Sequence, residues 1–113
     1  MNKFFISFIF IVIFLLLNVE AAVYKGQKEF VKKCAPCHSE GQEFVAQKTI
    51  SEWKEIMRNS GKELIRIHLT SKDEKAKDSY IYFKSKAFKK KSVHLIQFLT
   101  EYAKDSGKVP ACN

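Results

Sequence analysis

Apolar residues are concentrated at one end of this 113-residue chain. Sixteen of the first 21 residues are apolar, but only 36 of the remaining 92 are, which is about 39% and low for a globular protein. No other run approaches the ~20 apolar residues of a membrane span, so a protein with several spans is excluded. A single small domain of this composition cannot build a large core from its own side chains. We therefore expect something else to fill its centre.

The N-terminal segment is typical of an export signal. Lys3 gives a basic start, the apolar run from Phe4 to Leu17 is broken only by Ser7, and Val19-Glu20-Ala21 offers small residues for cleavage. We predict a signal peptide at residues 1–21 and a mature domain at 22–113. An uncleaved anchor is the alternative, although fourteen residues are short for a span. Export favours the periplasm, with membrane contact only during export.

The rest of the chain predicts helices without strands. Apolar residues recur three and four positions apart, and no alternating strand pattern or internal repeat occurs. Thr49-Ile50-Ser51-Glu52 has the form of a capping box, and Asn59-Ser60-Gly61 that of a helix stop. A loop is predicted at Pro36–Lys48. A second capping box at Ser71–Glu74 is predicted to open a helix that carries Ala76, Tyr80 and Phe83. Lys84–Lys91 is predicted as a basic loop, after which Ser92 caps the last helix, with Leu95, Phe98, Leu99 and Tyr102 on one face. The expected fold class is all-α.

Five consecutive residues carry the clearest chemical information. Cys34-Ala35-Pro36-Cys37-His38 matches Cys-x-x-Cys-His, the attachment pattern of c-type haem. Two thiols at this spacing can add to the two vinyl groups on one haem edge, and the adjacent imidazole then reaches the iron from one face. We predict one covalent haem c, bound through Cys34 and Cys37, with His38 as the proximal iron ligand.

The same cysteines have two other interpretations. A thioredoxin-like redox pair would need a low-pKa Cys at the start of a helix that follows a strand, whereas the stretch before Cys34 has a helical pattern. A zinc site would need a second Cys/His pair at the usual spacing, and none is present in the sequence. Haem attachment is the interpretation that the export signal also favours.

The two ends of the mature chain resemble a known family. Gly26-x3-Phe30-x3-Cys34 followed by Cys37-His38 resembles the N-terminal helix of class I c-type cytochromes, and Val93–Tyr102 looks like their C-terminal helix, with Phe98-Leu99 as its aromatic–Leu pair. The resemblance covers residues 24–106 in order, although only the ends match specifically. It implies four or five helices around one haem, a Gly where the first and last helices cross, and an aromatic residue between them.

The family's usual second iron ligand, a Met, has no counterpart here. Counting back from Phe98 reaches Ile81-Tyr82, and no Met lies between Asp73 and Ser92. His68 is the first alternative, because it shares a helical face with Leu64 and Ile67 that points inward.

Two other residues could take the same role. Met57 is the runner-up, although a Met beside Trp53 on a helix face is more often part of a core. His94 comes third, because its register at the flank of the last helix predicts a surface residue.

The net charge of +8 and the isoelectric point near 9.4 bear on partners. Cleavage would remove one Lys and one Glu and leave the net charge unchanged. Nucleic acid is a poor partner for an exported haem protein, so we predict that the positive surface attracts acidic redox proteins. The densest part of that surface, the lysine cluster, consists of Lys84, Lys86, Lys89, Lys90 and Lys91.

The predicted function is electron carriage by a small periplasmic monohaem cytochrome. No catalytic acid–base pair is evident, so we predict that the protein is not an enzyme. A haem-based binder or sensor of small ligands is the alternative if the distal position is open, and a thiol oxidoreductase using Cys34 and Cys37 is a third. Cys112 is an odd thiol on a short tail after Pro110, with no partner left once the haem is attached.

Overall fold

The computed structural model describes residues 2–108, and at residues 16–19 it describes the backbone alone. Cys112 and the rest of the predicted tail lie outside the described residues. Within this part of the chain the structure is helical without strands, which confirms the all-α prediction. The helices are α1 (Lys3–Lys33), α2 (Gln42–Val45), α3 (Ile50–Ile56), α4 (Arg58–Thr70), α5 (Glu74–Lys77), α6 (Tyr80–Lys84) and α7 (Lys86–Glu101). These seven segments exceed the four or five expected, because three of them have only four or five residues.

α1 combines the predicted signal segment and the first predicted helix of the mature domain. Its apolar side chains from Phe4 to Leu15 are exposed, and the helix runs on to Lys33 without a break. By length and composition, α1 is the one helix among the described residues that could cross a membrane, and a signal sequence has the same properties. Cleavage before Ala22 remains a prediction, since no helix boundary marks that position.

α1 and α7 cross at very close range beside Gly26. A Cβ atom added to Gly26 would lie 2.1 Å from the backbone carbonyl oxygen of His94, so a larger residue would push the helices apart. One turn further along α1, the rings of Phe30 and Phe98 pack with their centres 5.2 Å apart. The crossing has the small residue and the neighbouring aromatic pair that the resemblance implies.

The capping box at Thr49 is confirmed. The Thr49 side chain accepts from the backbone N–H of Glu52, and the Glu52 carboxylate accepts from the backbone N–H of Thr49. The helix stop is confirmed as well. Asn59, Ser60 and Gly61 all have left-handed backbone angles, with φ of 55°, 57° and 78°, so the regular part of α4 begins only after Gly61.

Two predictions about the lysine-rich segment are wrong. Lys84–Lys91 is not a loop, because α7 already begins at Lys86, with the Ser85 hydroxyl accepting from the backbone N–H of Phe88 at 3.2 Å. Ser92 does not cap this helix but lies buried inside it, where its hydroxyl donates to the carbonyl oxygen of Lys89. Lysine is a good helix former, and a run of positive charge does not by itself interrupt a helix.

The second predicted capping box is also wrong. The cap of α5 is Asp73, whose carboxylate accepts from the backbone N–H of Lys75 at 3.0 Å. A carboxylate is a stronger partner than a hydroxyl for the positive end of a helix.

The helix expected to continue to Phe83 is interrupted at Asp78-Ser79, and the Ser79 hydroxyl donates to the carbonyl oxygen of Ala76. The predicted loop at residues 36–48 contains the short α2.

The core lies between α1, α3 and α7. Trp53 on α3 donates its indole N–H to the carbonyl oxygen of Val45 at 2.8 Å, which joins α2 to α3. The segment after α7 returns to the same place, where the carboxylate of Asp105 accepts from the backbone N–H of Ile50 at 2.8 Å. Buried apolar residues are Phe30, Val45, Trp53, Met57, Phe83, Phe88, Leu95, Phe98, Leu99 and Ala103.

Candidate functional site

The Cys-x-x-Cys-His motif forms a turn that continues from the end of α1. The backbone N–H groups of Cys37 and His38 both donate to the carbonyl oxygen of Cys34, at 3.1 and 2.8 Å. In such a turn, residues three and four positions apart point to the same side. The three side chains that the sequence assigns to haem attachment therefore face one region of the protein.

That region is a cavity of about 400 Å³. Its volume lies within the range of about 300–1,000 Å³ that is typical of ligand sites in proteins. Cys34, Cys37 and His38 lie on one wall, and His68 from α4 is part of the lining. Apolar walls come from α1, α3, α4, α6 and α7, with side chains including Phe30, Trp53, Ile56, Leu64, Ile67, Phe83, Leu95 and Leu99. The cavity can therefore take a large apolar molecule.

His68 is held by its own helix in the form that can bind a metal. Its Nδ1 atom lies 2.7 Å from the carbonyl oxygen of Leu64. A carbonyl oxygen only accepts hydrogen bonds, so Nδ1 carries a proton, and in the neutral imidazole Nε2 then has a free lone pair. A second ring nitrogen bonded to a backbone carbonyl is the usual arrangement of metal-binding histidines.

The two imidazole rings of the site lie close together. The ring centres of His38 and His68 are 6.2 Å apart, and the ring planes make an angle of 85°. A metal ion between two imidazoles, with nitrogen–metal bonds of about 2 Å on opposite sides, keeps the ring centres roughly 6 Å apart. The separation of the two rings therefore matches the space that a shared metal ion needs.

Each imidazole also has a phenylalanine ring against one face. His38 stacks on Phe44 of α2 with ring centres 4.1 Å apart, and His68 stacks on Phe83 of α6 at 4.2 Å. Sequence reasoning missed both phenylalanines as site residues. Phe83 could have been suspected from its place near the family's Met position, whereas Phe44 lies in a segment predicted as a loop.

The surroundings of His38 favour its neutral form. Burial lowers the pKa of His38 below its usual range, and the nearby His68 lowers it further, while Glu40 acts in the opposite direction. A neutral imidazole is the form that binds a metal ion. The surroundings of His38 therefore suit a ligand role.

The two cysteines differ in exposure, and both are free thiols. Cys34 is half-buried at the C-terminal end of α1, and Cys37 is exposed. Burial, with smaller contributions from Glu29 and Cys37, raises the pKa of the Cys34 thiol to about 12. A redox-active Cys needs a lowered pKa at the start of a helix, so this environment is unsuited to thiol–disulfide exchange.

The alternative distal residues lie elsewhere. Met57 is 4% exposed, and its Cε lies 3.5 Å from where a Cβ of Gly61 would be, outside the cavity lining. His94 is half-buried at the crossing of α1 and α7, so its prediction as a surface residue is wrong. Its Nδ1 is buried and has no hydrogen-bond partner among the described residues. At the family's Met position, the hydroxyl of Tyr82 donates to Glu29 instead.

The residues around the cavity fit a haem better than a bare metal ion. No group of three or more His, Cys, Asp or Glu side chains within residues 2–108 could hold a metal ion. A haem brings four of its own nitrogen ligands and needs only axial ligands from the protein. Two thiols, two facing imidazoles and apolar walls are the donor set that this group requires.

Comparisons of the chain with protein-family models, curated proteins and solved structures gave no match.

Proposed function

We propose that the protein is a small monohaem c-type cytochrome that carries electrons between redox partners. The observation that carries the proposal is the meeting of Cys34, Cys37, His38 and His68 at one cavity, although His68 lies 30 positions beyond the motif. The resemblance to class I c-type cytochromes and the predicted removal of residues 1–21 support a periplasmic location.

Each of the four residues has a separate task in this proposal. Cys34 and Cys37 would hold the haem through thioethers, formed by addition of their thiols to its vinyl groups, and the imidazoles of His38 and His68 would hold its iron. When bound, the haem supplies an iron that alternates between the ferrous and ferric states. Phe44 and Phe83 cover the imidazole faces and restrict the orientation of the two ligands.

Charged residues at the cavity suit the acidic groups of a haem. Lys33, Lys48 and Lys75 are part of the lining. A haem carries two propionate carboxylates, which these lysines can pair with near the cavity edge. This pairing would also reduce the cost of placing two negative charges beside an apolar interior.

Two imidazole ligands have a consequence for the reduction potential. A Met thioether stabilises ferrous iron, and an imidazole does so less well, so axial-ligand identity tunes the potential. We expect the potential of this protein to lie below that of cytochromes with one His and one Met ligand.

Covalent attachment can be tested by intact mass. Protein produced with a cytochrome c maturation system should be heavier than the polypeptide by one haem, about 616 Da, and should keep it after acid denaturation. Cys112→Ser should behave in the same way, whereas the double variant Cys34→Ala/Cys37→Ala should lose the added mass. A bare polypeptide with a Cys34–Cys37 disulfide would contradict the proposal.

Absorption and resonance Raman spectra of the same sample identify the distal ligand. Low-spin iron without the weak long-wavelength band of Met–iron coordination is expected from His38 and His68. High-spin iron in the unmodified protein would mean that the distal position is open. The function would then be binding or sensing of a small ligand rather than electron carriage.

A further inference from the structure

One buried carboxyl group in the described residues has no direct part in the haem attachment proposed above. Glu29 of α1 is 9% exposed. Its Oε1 accepts a hydrogen bond from the hydroxyl of Tyr82 at 2.6 Å, which links α1 to α6 across 53 positions of sequence. Burial, followed by the effect of Glu29, raises the pKa of Tyr82, so the phenol remains a donor at any physiological pH. The Nζ of Lys33 lies 5.2 Å from the centre of the Tyr82 ring.

The position of α6 depends on ring contacts of Tyr82 and Phe83 with Phe88 of α7, with centres 5.3 and 5.0 Å apart, and on the Tyr82–Glu29 hydrogen bond to α1. α6 has five residues, and no side chain caps its N-terminus. An isolated helix of this length is unstable in water, so its place depends on contacts with the rest of the protein. The Tyr82–Glu29 hydrogen bond is a direct link from α6 to the helix that leads into the Cys-x-x-Cys-His motif.

The next residue of α6 is in contact with the distal imidazole. Phe83 stacks on His68 with ring centres 4.2 Å apart and an interplanar angle of 30°. A second constraint on His68 is the hydrogen bond from its Nδ1 to the carbonyl oxygen of Leu64 within α4. Displacement of α6 would remove the first constraint and leave the second, so the His68 ring could rotate away from its angle of 85° to His38.

We propose that the Glu29–Tyr82 hydrogen bond positions the distal ligand. By fixing α6, it keeps Phe83 against His68 and so holds the two imidazole planes nearly perpendicular. Glu29 and Tyr82 are positioning residues, since neither lines the cavity. The inference deepens the proposed function and rests on His68 as the distal ligand.

Electron paramagnetic resonance of the ferric holoprotein measures this angle. Perpendicular axial imidazoles leave two iron d orbitals nearly equal in energy and give one very large g value, whereas parallel planes give three well-separated g values. The unmodified protein should give the first type of spectrum. Tyr82→Phe, which removes only the hydroxyl, should move the spectrum toward the second type or broaden it.

A second measurement follows the strength of the His68–iron bond. Carbon monoxide must displace the distal ligand from ferrous iron, so a poorly held His68 should speed its binding. We expect Tyr82→Phe to raise the observed rate about tenfold, which corresponds to roughly 1.4 kcal/mol. Glu29→Gln keeps an oxygen acceptor for Tyr82 and should retain both the spectrum and the rate of the unmodified protein. Tyr80→Phe, in the same helix, is the matched control and should change neither.

The outcomes separate this inference from the proposed function. If the unmodified protein lacks a two-imidazole spectrum, the proposed ligation is wrong and the positioning role is wrong with it. If that spectrum is present but Tyr82→Phe leaves both measurements unchanged, the inference alone is wrong. A lower melting temperature in Tyr82→Phe with unchanged spectra would mean that the hydrogen bond stabilises the fold without positioning His68.

Discussion

At the scale of single residues, hydrogen bonds and burial decide which side chains are free to act as the distal ligand. The Nδ1 of His68 is bound to Leu64, which leaves Nε2 free for a metal ion. Met57 is buried in the core, and Tyr82 is bound to Glu29. Of the three residues that the sequence offered as distal ligands, only His68 lines the same cavity as the Cys-x-x-Cys-His motif.

Substitution of the two leading distal candidates should therefore have opposite effects. His68→Ala should give high-spin ferric iron and fast binding of carbon monoxide to ferrous iron, because no other side chain takes its place. Met57→Ala should leave the spectrum unchanged and lower the free energy of unfolding by about 2–5 kcal/mol, as expected for a buried Met. Absorption spectra and urea unfolding measure the two effects.

The reverse result would be decisive. If Met57→Ala opens the iron while His68→Ala remains low-spin, Met57 is the distal ligand and the core must rearrange when haem binds.

At the scale of secondary-structure elements, the fold depends on the crossing of α1 and α7. The backbone of α7 lies so close to Gly26 that there is no space for a Cβ atom. Phe30 of α1 and Phe98 of α7 then pack beside the crossing. This contact places the end of α1, and with it the Cys-x-x-Cys-His motif, next to the cavity wall that α7 provides.

Gly26→Ala should destabilise the protein, although Ala has a higher helix propensity than Gly. In an exposed helix, Ala is favoured over Gly by about 1 kcal/mol. Here the added methyl group would meet the carbonyl oxygen of His94, and overpacking of this kind costs about 1–3 kcal/mol or more. Urea unfolding of the holoprotein should give a lower midpoint for Gly26→Ala. Lys25→Ala, exposed in the same helix, is the control and should be nearly neutral.

A higher midpoint for Gly26→Ala would show that helix propensity dominates and that the two helices do not approach this closely.

At this scale, features that depend on neighbouring residues could be predicted from the sequence, and features that depend on distant contacts could not. The Thr49 capping box, the stop at Asn59–Gly61 and the buried face of α7 depend on residues within a few positions, and all three were predicted correctly. The start of α7 differs from the prediction because a run of lysines is compatible with either a loop or a helix. The Glu29–Tyr82 pair could not be foreseen, since a contact across 53 positions depends on the packing of whole helices.

The residues of the site likewise divide into those that a local sequence pattern predicted and those that it did not. The residues of the motif are adjacent in sequence, and a local pattern identified them. The register of its helix and the resemblance to the family both pointed to His68, and the structure brings it to the same cavity. The stacking partners Phe44 and Phe83 come from short helices whose positions are set by tertiary contacts, so no sequence pattern predicted their roles.

At the scale of the whole molecule, the distribution of charge is the main feature. Every member of the lysine cluster is exposed. Lys84 ends α6, and the other four lie in the first two turns of α7. An ordered helix presents these charges as a fixed surface, which is better suited to orienting a charged partner than a loose segment would be.

Electron transfer to an acidic redox protein should slow as salt is added. At ~0.15 M ionic strength the reach of surface charges falls to about 8 Å, which weakens steering before contact. Stopped-flow kinetics should show a decline in the second-order rate, and Lys89→Glu/Lys90→Glu should lower the rate and reduce its dependence on salt. Lys54→Glu/Lys62→Glu carries the same charge change outside the lysine cluster and is the control. Equal effects of the two double variants would mean that only net charge matters.

The crossing at Gly26 also has a consequence for the order in which the chain can fold. Its partner His94 lies 68 positions further along, so the contact cannot form until the chain has been made as far as α7. If residues 1–21 are removed as predicted, the part of α1 that remains is too short to be stable alone and depends on α7. Before α7 is made, the chain would then stay open, and the thiols of Cys34 and Cys37 would be accessible for the haem attachment that we propose.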